Sequence, residues 1–427
     1  MARSPLYTRR GLLKSAAGAG LAGAALGVPR AARASVSPAD RKFVFVFACG
    51  GWDPTRVFAD GFDNPLVDME GNAERAWGGD LPYIACPSRP SVTTFFDRYA
   101  GQTALIQGML VPSIAHEACF ILAMTGGFSD AGSDWAAILG AAARGRYAAP
   151  TLVLGGPSFP GVNLPSVVIC GANGQLSALV GGEATTWSAE NNLSMGVPTR
   201  STIDDFVRRR AAAVVAGASS RTRAQAAAFA SAHEQAMDIK GYRHQISFAD
   251  ILDLSDAFTI TAEALSIGLS RSVMVCSPVS GLRDWDSHTS NQDLQNVMFE
   301  DLFENLLTLM FLLEASPGTV APTLLEETTV VVFSEMGRTP WNNSAGGKDH
   351  WPYTSAMLVG SGIRGGVNVG QWTDDWHGEP IDLGTGEASS SGASLGTATF
   401  GATLLTLGDV DPAEWCGDVQ PITAVIA

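Results

Sequence analysis

A buried β run near the start of the chain constrains the fold more than any other feature of the sequence. Residues 42–48 read K-F-V-F-V-F-A, and the run stops at the turn sequence C-G-G-W-D-P of residues 49–54. A short apolar run that is bounded by turn residues predicts a buried strand. Asp53 then lies just past the carboxyl end of this strand, where ligand-binding residues gather in open α/β sheets.

Further runs of strand type alternate with helical patterns along the chain. The strand-type runs cover residues 103–108, 151–154, 166–170, 272–276, 328–333 and 356–360. Helical patterns cover an alanine-rich stretch from 202 to about 238 and residues 291–314, where apolar residues recur at helical spacing. This alternation predicts an α/β fold, a three-layer sandwich in which helices cover both faces of a mostly parallel central sheet. The length allows one large domain or two smaller ones, and we favour a single domain over residues 35–427.

The first 34 residues have the pattern of an export signal. Arg9 and Arg10 precede a run rich in alanine, glycine and leucine, and Ala32-Arg33-Ala34 supplies a small-x-small cleavage site. This pattern predicts a twin-arginine signal peptide that is removed, and therefore a periplasmic or secreted protein. A Sec signal or a membrane anchor is the alternative, but about thirteen weakly apolar residues fall short of the ~20 that span a bilayer. We expect no transmembrane segment in the mature chain.

Charge and cysteine spacing exclude two classes of function. The chain holds 27 basic and 42 acidic residues, and the predicted signal takes six of the basic residues and none of the acidic ones. The mature chain therefore carries a formal charge of −21, so we expect no nucleic-acid partner. The six cysteines include no C-x-x-C pair, which argues against a thiolate zinc site.

Histidines stand beside carboxylates at two predicted strand or helix ends. Asp286-Ser287-His288 follows the strand-type run that ends at residue 276, and Asp349-His350 precedes the run that starts at residue 356. Imidazole and carboxylate together suit a divalent ion such as zinc or manganese, or calcium if oxygen ligands dominate. A surface His–Asp hydrogen bond is the alternative for each pair taken alone.

Two further positions could contribute to the same site. Glu335 and Arg338 follow the run of residues 328–333, where the carboxylate would suit a metal and the guanidinium an anionic oxygen. A structural ion pair between them is the alternative. His116 lies at the start of a helical run, where backbone N–H groups and the helix dipole favour a bound anion, although it could equally be a core histidine.

These motifs together resemble the alkaline phosphatase/sulfatase superfamily, and more closely the twin-arginine-exported family called domain of unknown function 1501 (DUF1501). The likeness runs from about residue 43 to residue 407. Its most specific pieces are the signal, G-G-W-D at 50–53, His116-Glu117 with Thr125-Gly126, D-S-H at 286–288, and the block from 330 to 365 that contains S-E-M-G-R-T-P and D-H-W-P.

The resemblance implies an alkaline-phosphatase-like fold with one or two divalent ions at the carboxyl ends of the sheet, acting on a phosphate or sulfate ester. By position, the implied ligands are Asp53, Asp286 with His288, Glu335, and His350, with Asp349 beside it. Asp284 is an alternative to Asp286, because it gives the D-x-x-x-H spacing of phosphoglycerate mutase relatives. Arg338 would hold substrate oxygens.

The sequence departs from the superfamily pattern at two positions. The superfamily's nucleophile stands nine residues before a Thr-Gly, which here is His116, and Met336 replaces a histidine ligand in the segment that resembles T-S-D-H-G. Either His116 is itself a nucleophile or ligand, with Ser113 or Asp349 completing the site, or the fold keeps a metal without hydrolysis. The sequence thus predicts an exported metal-dependent ester hydrolase with a small anionic substrate. The alternative is a non-catalytic envelope binding or assembly protein with a protein partner.

Overall fold

Eight strands form the central sheet of the computed structural model, which describes residues 36–129, 131–170, 197–217, 219–242, 245–246, 251–279 and 285–427. In chain order the strands of the described residues are β1 (Lys42–Ala48), β2 (Glu74–Gly78), β3 (Leu81–Ala85), β4 (Thr103–Leu110), β5 (Thr151–Val153), β6 (Val167–Ile169), β7 (Ser272–Ser277), β8 (Thr328–Ser334), β9 (Gly337–Arg338), β10 (His350–Trp351), β11 (Tyr353–Gly360) and β12 (Val367–Val369). The helices are α1 (Pro90–Tyr99), α2 (His116–Thr125), α3 (Trp135–Ala141), α4 (Val197–Gly217), α5 (Ser220–Lys240), α6 (Leu254–Ser266), α7 (Asn291–Ala315), α8 (Thr397–Leu407) and α9 (Ala413–Cys416).

The sheet is mostly parallel. Its order is β12-β4-β11-β8-β1-β7-β5-β6, and only β11 runs against its neighbours β4 and β8 within the described residues. The pairs β1–β7, β1–β8, β5–β7, β5–β6 and β4–β12 are all parallel. The predicted α/β fold with a mostly parallel central sheet is confirmed. Two smaller sheets, β2–β3 and β9–β10, lie outside the central sheet.

Strand β1 shows why helices lie on both faces. Val44, Val46 and Ala48 belong to one apolar core, which includes side chains of α1, α6 and α7. The intervening side chains, Phe43 and Phe45 among them, belong to a second core with side chains of α2, α3 and α8. Successive side chains of a strand point to opposite faces, so a strand that is apolar throughout requires cover on both faces. The three layers follow from that requirement.

The strand register gathers several chain segments at one edge of the sheet, the edge formed by the carboxyl ends of its parallel strands. Ala48 pairs with Ser277 and with Ser334, so β1, β7 and β8 end side by side. Because β11 is antiparallel, its first residue, Tyr353, lies at this same edge opposite Leu110, the last residue of β4. The segments that follow β1, β4, β7 and β8, and the segment that precedes β11, therefore meet there, as the carboxyl-end rule for open sheets predicts.

A buried ion pair lies at the opposite edge of the sheet, where its parallel strands begin. Lys42, the first residue of β1, places Nζ 2.6 Å from Glu327 Oε1, and both side chains are fully buried. Glu327 also accepts hydrogen bonds from the backbone N–H groups of Thr319, Val320 and Ala321. The pair thus connects the start of β1 to the segment that leads into β8.

The alanine-rich stretch contains two neighbouring helices, α4 and α5, which contact one another. Most of their side chains are exposed, including Phe206 and Phe229. The residues from Val36 to Ala427 group as one compact unit. Among the described residues, we find no helix with the length and apolar character needed to cross a bilayer. The predicted signal, residues 1–34, and Asp284 lie outside the described residues.

Candidate metal centre

Three side chains from separate elements converge at the edge of the sheet where β1, β4, β7 and β8 end. His116 is the first residue of α2 and follows β4, Asp286 lies between β7 and α7, and His350 begins β10. One donor atom from each of these side chains lies within 4.8 Å of those of the other two. His116 Nε2 is 3.3 Å from Asp286 Oδ2, and His350 Nε2 is 3.4 Å from Asp286 Oδ1. The predicted residues His116, Asp286 and His350 are therefore neighbours in space.

His288 extends this group, because its Nε2 lies so close to that of His350 that a proton or a metal ion must lie between them. His350 Nδ1 donates to the carbonyl oxygen of Ile114 at 2.7 Å, so Nε2 of a neutral His350 carries a lone pair. Asp349 Oδ1 lies 3.0 Å from His288 Nδ1 and assigns the same tautomer to His288. The two Nε2 atoms are nevertheless only 2.9 Å apart, and His288 Nε2 is also 3.2 Å from Asp286 Oδ1. Two lone pairs at this distance repel each other unless a proton or a metal ion lies between them.

His116 repeats the same arrangement in a buried position. Its Nδ1 lies 2.8 Å from Oε1 of Glu335, a fully buried carboxylate that also accepts from the backbone N–H of Gly50 and the hydroxyl of Ser334. Its Nε2 is buried and lies 3.3 Å from Asp286 Oδ2, a charge contact without hydrogen-bond geometry. A buried ring nitrogen without a well-formed hydrogen bond is costly, so this atom is suited to a bound cation. Glu335 therefore orients His116 and reaches the group only through that ring.

The charge balance of the group favours a bound cation. Burial alone lowers the pKa of His116, but the carboxylates of Asp286 and Glu335 outweigh burial and raise that pKa to about 9. Burial alone raises the pKa of Asp286, but His116, His350 and Arg338 outweigh it and hold that pKa well below its usual range. Positive charge is thus stabilised among these side chains, whether a proton or a metal ion carries it.

The donor chemistry fits zinc or manganese better than calcium. Imidazole nitrogens of His116, His288 and His350 with one carboxylate form a nitrogen-rich set, whereas calcium requires about six to eight oxygen ligands and a single carboxylate supplies at most two. Hydrogen bonds from ring Nδ1 atoms to a carbonyl or carboxylate, as at His350 and His288, are typical of metal-binding histidines. The residues present therefore fit a divalent transition metal.

Arg338 is committed to backbone carbonyls and to Asp286. The side chain is fully buried, and its Nε donates to Gly51 O at 2.8 Å, its Nη1 to Lys348 O at 3.2 Å, and its Nη2 to Gly50 O. The same Nη2 lies 2.8 Å from Asp286 Oδ1. These contacts hold Asp286 from its buried side, and the substrate contact that the sequence predicted for Arg338 stays a prediction.

Asp53 lies in a separate buried network. Its carboxylate accepts from the Thr55 hydroxyl at 2.6 Å and the Asn291 amide at 2.8 Å, and it pairs with Lys348 Nζ at 3.0 Å and Arg56 Nε at 3.1 Å. Burial alone raises the pKa of Asp53, but the two cations outweigh it and hold that pKa well below its usual range. With these partners, Asp53 connects the segment after β1 to α7 and to Lys348. The structure does not bring it into the metal-ligand group.

Met336 occupies an apolar site beside the metal-ligand group. It is fully buried and packs with Val111, Cys119 and Leu122. The histidine that the superfamily pattern places here would face these apolar side chains. Among the described residues, one group has metal-ligand spacing, that of His116, Asp286 and His350. A single group supports one ion more directly than two.

Sequence reasoning missed the residues that hold Asp53 and the backbone beside Asp286 in place. Lys348 and Asn291 bind Asp53, and Gln295 Nε2 donates to the carbonyl oxygen of Trp285 at 2.9 Å, beside Asp286. Lys348 had a signal, since it directly precedes the Asp349-His350 pair. Asn291 and Gln295 had none, because polar residues near the start of a helix are normally read as solvent-exposed.

Comparison with known proteins gives a family and two distant structural likenesses. Residues 96–382 match the model of the family described as protein of unknown function (DUF1501). No curated protein matches the sequence.

Two solved structures are similar at low sequence identity. The crystal structure of Ps i-CgsB in complex with k-i-k-neocarrahexaose is 9% identical, with 90% of this chain and 75% of that chain covered and a TM-score of 0.38. The phosphonate monoester hydrolase of Agrobacterium radiobacter is 11% identical, with 89% and 78% covered and a TM-score of 0.35. At these scores the fold assignment depends on the strand order alone. The family match spans more than half of the chain, which therefore belongs to the DUF1501 family.

Proposed function

We propose that the chain is an exported, metal-dependent hydrolase of a phosphate or sulfate ester. The observation that carries the proposal is the convergence of Nε2 atoms from His116, His288 and His350 on the carboxylate of Asp286, where the buried Nε2 of His116 lies 3.3 Å from Asp286 Oδ2 without hydrogen-bond geometry. Four acceptor atoms from four side chains define a cation site. Zinc or manganese suits its nitrogen-rich donors.

The chain's own groups prepare this site. Glu335, Asp349 and the carbonyl oxygen of Ile114 hold the ring protons on Nδ1, which leaves each Nε2 available as a ligand. Arg338 holds Asp286 from the buried side. A divalent metal ion held by His116, His288, His350 and Asp286 would supply Lewis-acid chemistry suited to an ester oxygen and to the activation of water. The position of His116 in the donor set favours a ligand over the nucleophile that its sequence position suggested.

The experiment is elemental analysis of the purified protein, wild type beside the double variant Asp286→Ala/His350→Ala. We expect stoichiometric zinc or manganese in the wild type and none in the double variant. The double variant His233→Ala/Asp204→Ala is a matched control, because it removes a histidine and a nearby aspartate 3.8 Å away on α5 and α4. An aryl phosphate and an aryl sulfate are then tested with the metal found. Metal that stays bound in the ligand variant would refute the site.

Export by the twin-arginine pathway is the second element of the proposal. The sequence of residues 1–34 supports it, and its test is the location of the protein in wild-type cells and in cells with Arg9→Lys/Arg10→Lys. We expect periplasmic or secreted mature protein from the wild type and cytoplasmic precursor from the variant. Export of both would indicate a Sec signal.

Two observations favour the alternative, a non-catalytic envelope binding protein with a structural ion. Met336 is apolar where the superfamily has a ligand. Arg338 already donates hydrogen bonds to backbone carbonyl oxygens and pairs with Asp286. Stoichiometric metal without turnover of either ester, together with an envelope partner that co-purifies equally with the wild type and the ligand variant, would establish this alternative.

A further inference from the structure

A second concave site lies outside the metal-ligand group. It is a cleft of about 730 Å³, bounded by the hairpin of β2 and β3, the segment of residues 58–66 and the loop of residues 370–376. This volume falls within the range of about 300–1,000 Å³ that is typical of small-molecule sites. None of His116, Asp286 and His350 lines the cleft, so a ligand could bind there whether or not the proposed metal chemistry holds.

Three tryptophans line this cleft. Trp77 is 62% exposed, which is unusual for a tryptophan on a strand. Trp372 and Trp376 stack with ring centroids 4.7 Å apart and planes at 18°. Gln107 fixes Trp372, because its Oε1 lies 3.2 Å from Trp372 Nε1. Two of these rings are therefore held in place by packing and hydrogen bonding before any ligand arrives.

Hydrogen bonds also connect the two walls. Asn64 Nδ2 donates to the carbonyl oxygen of Asp374 at 2.9 Å, which joins the 58–66 segment to the 370–376 loop. Trp351 Nε1 donates to the carbonyl oxygen of Trp376 at 2.8 Å and anchors that loop to β10. A cleft that is already braced in this way loses little conformational entropy when a ligand binds.

The polar lining limits the chemistry of the ligand. Four aspartates and one arginine line the cleft, a formal charge of −3. Arg75 pairs with Asp60 and Asp63, while the other two aspartates, Asp374 and Asp375, are exposed at the rim. An anionic ligand is disfavoured by this charge. Amide side chains, including those of Asn64 and Gln371, supply much of the remaining polar lining.

We propose that this cleft binds a neutral oligosaccharide. A sugar ring presents a flat C–H face that packs on indole rings such as Trp77 and Trp372, and it presents hydroxyl groups that pair with carboxylates and amides. A ligand with a quaternary ammonium would use the same aromatic rings. It is the weaker fit, because Arg75 already pairs with two of the four carboxylates and amide side chains provide much of the other polar lining.

The test is binding of the purified protein to an array of neutral oligosaccharides that includes α- and β-glucans, chitin fragments and galactans. Sulfated oligosaccharides and choline are the comparators. The affinity for the best neutral ligand is then measured by calorimetry. We expect Trp77→Ala and Trp372→Ala each to weaken binding about tenfold. Trp341→Ala, which removes a 39% exposed indole outside the cleft lining, is the matched control and should leave affinity unchanged.

Several results would overturn the proposal. These are no binding to any neutral oligosaccharide, binding confined to choline or to the sulfated ligands, and equal loss of affinity in Trp341→Ala and Trp77→Ala. Circular dichroism of each variant establishes that it is folded. If Trp372→Ala does not fold, Trp77→Ala decides the outcome, because its exposed ring can be removed without opening the core.

Discussion

Replacing Glu327 by glutamine tests the buried ion pair at the edge of the sheet opposite the metal centre. Oε1 of Glu327 receives Lys42 Nζ and the Thr319 N–H, and Oε2 receives the N–H groups of Val320 and Ala321. In either orientation, the amide NH₂ of Glu327→Gln would face donors that can only donate. One charge of the pair is also left uncompensated in a fully buried position.

The expected cost is about 3–5 kcal/mol of the free energy of unfolding, as for other buried pairs that lose one partner. At about 2.1 cal/mol/K per residue, the unit Val36–Ala427 has an unfolding entropy of about 0.8 kcal/mol/K. The melting temperature should therefore fall by about 4–6 °C at pH 7. Circular dichroism measures it, with Glu414→Gln as the control, since Glu414 is exposed on α9. A fall of less than about 1 °C in Glu327→Gln would refute the reasoning.

The contribution of Glu327 to the free energy of unfolding should also depend on pH. Burial alone raises the pKa of Glu327, but Lys42 and the backbone N–H groups of Thr319 and Val320 outweigh it and lower that pKa from the ordinary value of 4.5. The stability that this carboxylate contributes is therefore present above pH 4.5 and is lost as the pH falls through the lowered pKa. The difference in melting temperature between wild type and Glu327→Gln should narrow below pH 4.5. A constant difference down to about pH 3 would contradict the assigned pKa direction.

Three further substitutions test the metal centre and its supports. Glu335→Gln should weaken metal binding about 10- to 100-fold, because it disturbs the carboxylate that orients His116, and a chelator competition measures the change. Lys348→Met should destabilise the fold by about 3–5 kcal/mol in urea unfolding, because it leaves buried Asp53 with one cation fewer. Gly51→Ala should cost about 1–3 kcal/mol in the same assay, because the φ of Gly51 is +82° and a Cβ would lie 2.8 Å from Met336 Cγ.

Controls for two of these variants are available at exposed positions. Glu414→Gln serves for Glu335→Gln, and Gly71→Ala serves for Gly51→Ala, because a Cβ at Gly71 meets no atom within 4 Å. Unchanged metal affinity in Glu335→Gln would show that His116 does not depend on this carboxylate. Equal stability of Gly51→Ala and Gly71→Ala would contradict the close approach at Met336, and wild-type stability of Lys348→Met would show that Asp53 does not need its second cation.

The fold could be predicted from the sequence because its signals are local. A strand that is apolar throughout, such as β1, requires cover on both faces, and the alternation of strand and helix patterns then requires a mostly parallel sheet. The strand ends also followed from the sequence, which is why Asp286 and His350 were expected at one edge. These properties depend on side-chain polarity along short segments, and a single sequence records that directly.

Only the tertiary structure decided which polar groups face the metal-ligand group. His116 and Asp286 are 170 positions apart, and no local pattern predicts that their donor atoms lie 3.3 Å apart. Asp53 and Arg338 stand at strand ends as predicted, yet packing gives them other partners, Lys348 for the one and backbone carbonyls for the other. The sequence by itself determined the layers and the edge at which polar residues collect. The direction of each side chain was decided by competition among buried donors and acceptors, which exists only once the strands are paired.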